Sequence, residues 1–94
     1  MVVVAGSGVV GEAEFGEITR EIVRDQAPRL FAVVQELGER VDLRIAAWGM
    51  EFDDHAAVVS EDGSTRLSVR SAEHALPLFG GRAEVTPHVV WVAD

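Results

Sequence analysis

Cysteine, lysine, tyrosine and asparagine are all missing from the 94 residues, and each gap removes something. Without cysteine there are no disulfides, no thiolate zinc sites and no thiol nucleophile. Without lysine, the eight basic residues are all arginine, and they face sixteen acids for a formal charge of −8. That balance disfavours phosphate backbones and anionic membranes, and it suits a basic protein surface as partner. Long apolar runs are also lacking, which excludes a membrane-spanning helix. The start Met1-Val2-Val3-Val4-Ala5 has neither the basic segment nor the long apolar segment of a signal peptide, so a cytoplasmic protein is expected.

What is present is ordinary for a globular chain: 48% hydrophobic and 26% charged residues. Ninety-four residues provide surface for one hydrophobic core and so for one domain. Residues 1–11 contain only Met, Val, Ala, Gly and Ser, which predicts a leader or a short edge strand. Residues 12–94 then form a single α+β domain. Helical periodicity runs from 12 to 40. Phe15, Ile18, Ile22, Val23, Ala27, Leu30, Val33, Val34 and Leu37 fall on one stripe, expected to face the core, with Glu17, Glu21, Arg24, Gln35 and Glu39 opposite. Pro28 interrupts this pattern, which predicts a kinked helix or two abutting ones, with Gly38 weakening the end.

From Val41 the period changes to two, with Leu43, Ile45 and Ala47 alternating against Asp42, Arg44, Ala46 and Trp48 as in a half-buried strand. Asp62-Gly63 between two alternating segments signals a two-residue hairpin turn. Counting outward from it pairs Val58 with Leu67 and Ala56 with Val69 on the core side. Val59, Ala57 and His55 pair with Arg66, Ser68 and Arg70 on the other side. Ser71, Glu73 and Gly80-Gly81 bound a short second helix containing Pro77. The Val89–Val92 run closes the chain as a strand that is central or covered on both faces. The predicted order is α-β-β-β-α-β, with a mostly antiparallel sheet of about four strands and helices on one face.

Few motifs carry chemistry. Gly6-Ser7-Gly8-Val9-Val10-Gly11 matches the G-x-G-x-x-G dinucleotide pattern, yet the chain is too short for repeated βαβ units and its hairpins are antiparallel, so no cofactor is expected. His55, His74 and His88 match no metal-ligand spacing, and no metal site is expected. The serines stand in no nucleophile-elbow pattern, and no catalytic residue is assigned. The one acid/base set that the hairpin register allows is His55 beside Arg70 with Glu51 and Asp53 near, which would suit a small ligand-binding or hydrolytic protein.

The face of the sheet away from the core is more informative. With Glu51–Asp54 as a hairpin loop, Met50 pairs with His55, Trp48 with Ala57 and Ala46 with Val59. Trp48, Met50, Val59 and part of the Val89–Val92 run then share an apolar surface, bordered by Arg66 and Arg70, of the kind found at protein contacts. The competing expectation is that Gly49 and a bulge turn Trp48 into the core.

Ala27-Pro28-Arg29-Leu30-Phe31-Ala32-Val33-Val34-Gln35-Glu36 and Ala46-Ala47-Trp48-Gly49-Met50-Glu51-Phe52-Asp53-Asp54 together resemble small uncharacterised α+β proteins of GC-rich actinobacteria. This resemblance spans about residues 14–92 and implies no activity, cofactor or site residue. The function expected is a small acidic interaction module that binds a protein partner, or itself as a homodimer, through the outer sheet face. Two further expectations stand beside it: the His55-centred ligand site, and an acidic mimic of nucleic acid in which Glu51, Asp53, Asp54, Glu61 and Asp62 line the loop end of the sheet.

Overall fold

A computed structural model describes residues 11–93. The helix α1 (Glu12–Gln26) leads into β1 (Arg29–Leu37), β2 (Asp42–Glu51), β3 (Ala56–Ser60) and β4 (Arg66–Val69). The 3₁₀ segment η1 (Ala72–Phe79) and β5 (Val85–Trp91) follow. Among the described residues five strands form one antiparallel sheet in the order β4-β3-β2-β1-β5. The class is α+β as expected, with five strands where about four were predicted. The glycine/valine-rich segment with its G-x-G-x-x-G pattern lies outside the described residues, apart from Gly11.

The additional strand is β1, taken from the region read as helix. Helical propagation stops at Gln26 because Pro28 has no amide hydrogen and drives Ala27 into an extended conformation, φ −63° and ψ 134°. Beyond Pro28, the residues at 30, 33, 34 and 37 suit a helix stripe, but they equally suit a strand that is apolar on both sides. The β-branched pair Val33-Val34 favours the strand. Gly38, at φ 67°, does not weaken a helix. It opens the turn from β1 to β2, and Arg40 at φ 59° completes it.

The hairpin of β3 and β4 has the predicted register, with Val58 opposite Leu67 and Ala56 opposite Val69. Its turn is wider than two residues: Ser60 N–H donates to Thr65 O at 2.9 Å and Gly63 N–H to Ser60 O at 2.8 Å. Asp62 organises this loop. Its Oδ1 accepts from Ser64 N–H at 2.9 Å, Ser64 Oγ at 2.7 Å and Ser60 Oγ at 2.8 Å. These donors favour the charged carboxylate and draw its pKa down to about 2. Since the folded value lies below the ordinary one of 3.8, this contribution to stability is complete above about pH 4 and is lost as pH falls through about 2. An NMR titration of the Asp62 carboxyl should therefore show a midpoint near 2, and a midpoint near 4 would mean that the three donors do not hold it.

One face of the sheet carries the core. Phe31, Val33, Ala47, Ala56 and Val58 are buried there under Ala72 and Ala75 of η1. Side chains from the sheet hold both ends of η1: Ala72 N–H donates to Glu51 Oε1 at 2.9 Å, and Gln35 Nε2 donates to Phe79 O at 2.7 Å. Ser71 occupies the predicted cap position, but its side chain does not cap the backbone. That task falls to Glu51. At the far edge, Trp91 meets the Phe31 ring edge-on at 5.5 Å between centroids, and the Arg29 guanidinium lies 3.9 Å above the Trp91 ring.

Two expectations about coverage are corrected. β5 is an edge strand, not a central or doubly covered one; it pairs with β1 and exposes Val90 on the side away from η1. The α1 stripe does not face the core, because no residue of α1 is buried. The described chain measures 62 × 22 × 22 Å, with a radius of gyration of 18.3 Å, against about 12 Å for a compact chain of this size. A 15-residue helix is about 22 Å long and a ten-residue strand about 33 Å. End to end they account for most of the long axis, so α1 extends from the end of the sheet.

Candidate functional site

Among the described residues no element covers the face of the sheet opposite η1, and strand pairing determines which residues occupy it. Trp48 stands between Ala32 on β1 and Val59 on β3, and Val59 stands opposite Arg66 on β4. Met50 lies between Leu30 and Ala57. Since residues directly across a ladder share a face, Trp48, Met50, Val59 and Arg66 lie together, as the sequence pattern predicts. Trp48 is 47% exposed, so its ring is outside the core. Arg70, one residue beyond β4, is also exposed.

The predicted partners across β2 and β3 are displaced by two residues. Phe52 N–H donates to His55 O at 2.7 Å, closing a tighter tip at Asp53-Asp54, and Met50 faces Ala57 in place of His55. A shift of two leaves every side chain on its predicted face, which is why the surface survives the change.

A bulge is present, but it acts on other residues than Trp48. β1 pairs Val33 with Ala47 and then Val34 with Ile45, so Ala46 is the extra residue. β1 itself continues unbroken against β5. Val34 therefore stays on the side of Ala32 and Trp48, and the bulge carries Ile45 and Leu43 to that side with it. The alternation in the sequence had assigned both to the core along with Ala47. Ala47 is buried, whereas Ile45 and Leu43 are exposed. The displaced Ala46 carbonyl accepts from Glu61 N–H at 2.8 Å.

The outer face is consequently larger than the sequence pattern suggests. Leu30, Leu43 and Ile45 join Trp48, Met50 and, as expected of the last strand, Val90 among its exposed side chains. Leu30 was hidden by the helical reading of 27–40, and Leu43 and Ile45 by the bulge. Pro28, as a barrier to helix propagation, was the signal that could have released the first. Polar groups lie at the margins: Arg66 on β4, and the His88–Glu36 pair with Nε2 and Oε1 2.9 Å apart. The hydrogen bond from His88 holds the Glu36 carboxyl below its ordinary pKa.

The His55-centred set is only partly assembled. His55 Nδ1 is 2.6 Å from Asp54 Oδ1, and its ring stacks on Phe52 at 4.7 Å. That hydrogen bond lowers the Asp54 pKa. Glu51, however, is committed to the η1 amide of Ala72. Beside His55 lies an open hollow of about 780 Å³, bordered by Asp25, Arg29 and Asp53. Among the described residues no group of three or more His, Asp or Glu is placed to hold a metal ion, and no helix is long and apolar enough to cross a membrane.

The acids that would imitate nucleic acid are not gathered at one end. Asp53 and Asp54 tip the β2–β3 hairpin, while Glu61 and Asp62 belong to the loop between β3 and β4. Successive hairpin loops lie at opposite ends of the strand they share, here separated by the five residues of β3, about 17 Å.

Comparison of the chain with models of protein families, with curated proteins and with solved structures finds no match in any of the three.

Proposed function

We propose that the protein is a small acidic interaction module that associates with protein, its own chain or another, through the outer face of the sheet. The observation that carries this reading is the continuous apolar surface across β3, β2, β1 and β5, with the half-exposed Trp48 at its middle. Soluble monomers rarely leave so extended an apolar surface in water, and aromatic side chains with arginine near them are common at contact surfaces. The sheet edges are poor alternatives. β4 has four residues, and β5 carries Pro87, so neither offers a long ladder of free amides for strand addition.

Trp48 also supplies the test. On association its indole should leave water, shifting the fluorescence to shorter wavelength as protein concentration rises, while Trp91, already packed on Phe31 and Arg29, changes little. Trp48→Glu should melt like the wild-type monomer and lose this association in sedimentation. A wild type that stays monomeric at high concentration, and whose retained partners bind Trp48→Glu equally well, would remove the basis of the proposal.

A further inference from the structure

Among the described residues two apolar surfaces lack a partner, and they differ in shape: a flat sheet face and a helix stripe. We infer that they cover each other between two copies, with α1 of each chain lying on the outer sheet face of the other in a reciprocal, symmetric exchange. This inference rests on the reading of the outer face as a contact surface and names its occupant.

The helix requires a surface. Phe15, Ile18 and Ile22 form its stripe with Val23 at the border, none of them is buried, and Phe15 is 52% exposed. A 15-residue helix is close to the length at which helices in water are marginal, and tertiary packing of an amphipathic face usually stabilises them. Its own sheet is not where the chain directs it. Ala27 and Pro28 are the whole connection between α1 and β1, Ala27 is extended, and neither residue has the positive φ that caps helices before a sharp reversal. Exchange of an identical element between two chains resolves this without altering either fold, and twofold symmetry closes the assembly at two copies.

Dimensions and charge agree. The helix, about 22 Å long, fits along strands of nine and ten residues that span about 30 Å. Two such contacts bury on the order of 1,000 Å² or more, the lower bound for a specific interface. On the helical wheel Glu14 and Asp25 border the stripe on its Ile18 side, and α1 holds five acids against two arginines. On the sheet, Arg66 and Arg70 stand exposed at the β4 margin. Packing two sheets face to face would bury the same apolar surface but leave both helix stripes in water.

The test uses the full chain and two variants at residues that the monomer leaves about half exposed, Phe15→Glu in the helix and Trp48→Glu in the sheet. Circular dichroism verifies folding, and sedimentation with native mass spectrometry reads association. The wild type should dimerise, and each variant alone should do so at least about 30-fold more weakly. An equimolar mixture should form a heterodimer that neither forms as a homodimer, because one intact helix then meets one intact sheet. If Phe15→Glu dimerises like the wild type while Trp48→Glu does not, the sheet face is a contact surface but α1 is not its occupant, and the exchange is overturned alone. If Trp48→Glu also dimerises like the wild type, the proposed function falls with it. A monomeric wild type destabilised by Phe15→Glu would show the helix closing on its own sheet, and a mixture without heterodimer would equally exclude exchange.

Discussion

Gly49→Ala is expected to destabilise the fold by about 1–3 kcal/mol, the usual cost of overfilling a packed core, although it adds a single methyl group. Gly49 faces Phe31 across β1 and β2. A Cβ built on it would stand 2.2 Å from Phe31 Cζ and 2.6 Å from both Cε atoms. The ring lies flat over a site where only a missing side chain leaves room. It cannot swing into water at low cost, being fully buried with Trp91 against its edge. Phe31→Ala should cost about 3–5 kcal/mol by opening a cavity. Combined with Gly49→Ala it should cost less than the two together, because the added methyl then fills part of the space. Denaturant melts of the three variants measure both effects. Additive losses, or a Gly49→Ala variant within a few tenths of a kcal/mol of wild type, would mean that the ring and the glycine are not in the contact described.

The same pair shows where the fold was legible in the sequence and where it was not. The β3–β4 register could be counted because Asp62-Gly63 punctuates two alternating segments, and one buried face makes a slip by a single residue costly. The η1 span was readable from Ser71 and Gly80. Strand β1 was not readable by periodicity. Phe31 and Val33 face the core while Leu30, Ala32 and Val34 face outward, and a segment apolar on both sides presents the same letters as an amphipathic helix. Only Pro28 distinguished them. On β2, a bulge inserts one residue with no signal in composition, so Leu43 and Ile45 reversed face although the alternation was regular. Glu51 shows a further limit. Its carboxylate beside His55 invites an acid/base reading, while the amide it serves belongs to Ala72, 21 residues on.

Trp48 and Met50 could be placed because an even displacement of the hairpin register leaves faces unchanged. The consequence is thermodynamic. Trp48→Ala should weaken association by about 2 kcal/mol or more, as for an aromatic anchor near the centre of an interface. It should change the folding free energy of the monomer by about 2 kcal/mol or less, because nearly half of the residue is already in water. A buried tryptophan would show the opposite division, with about 3–5 kcal/mol lost from folding. Melts at low protein concentration measure the folding term, and dilution series the association term. The two must be taken separately, since dimer formation raises apparent stability by mass action. A Trp48→Ala monomer that loses several kcal/mol while its association constant is unchanged would place the ring in the core and leave the outer face without its anchor.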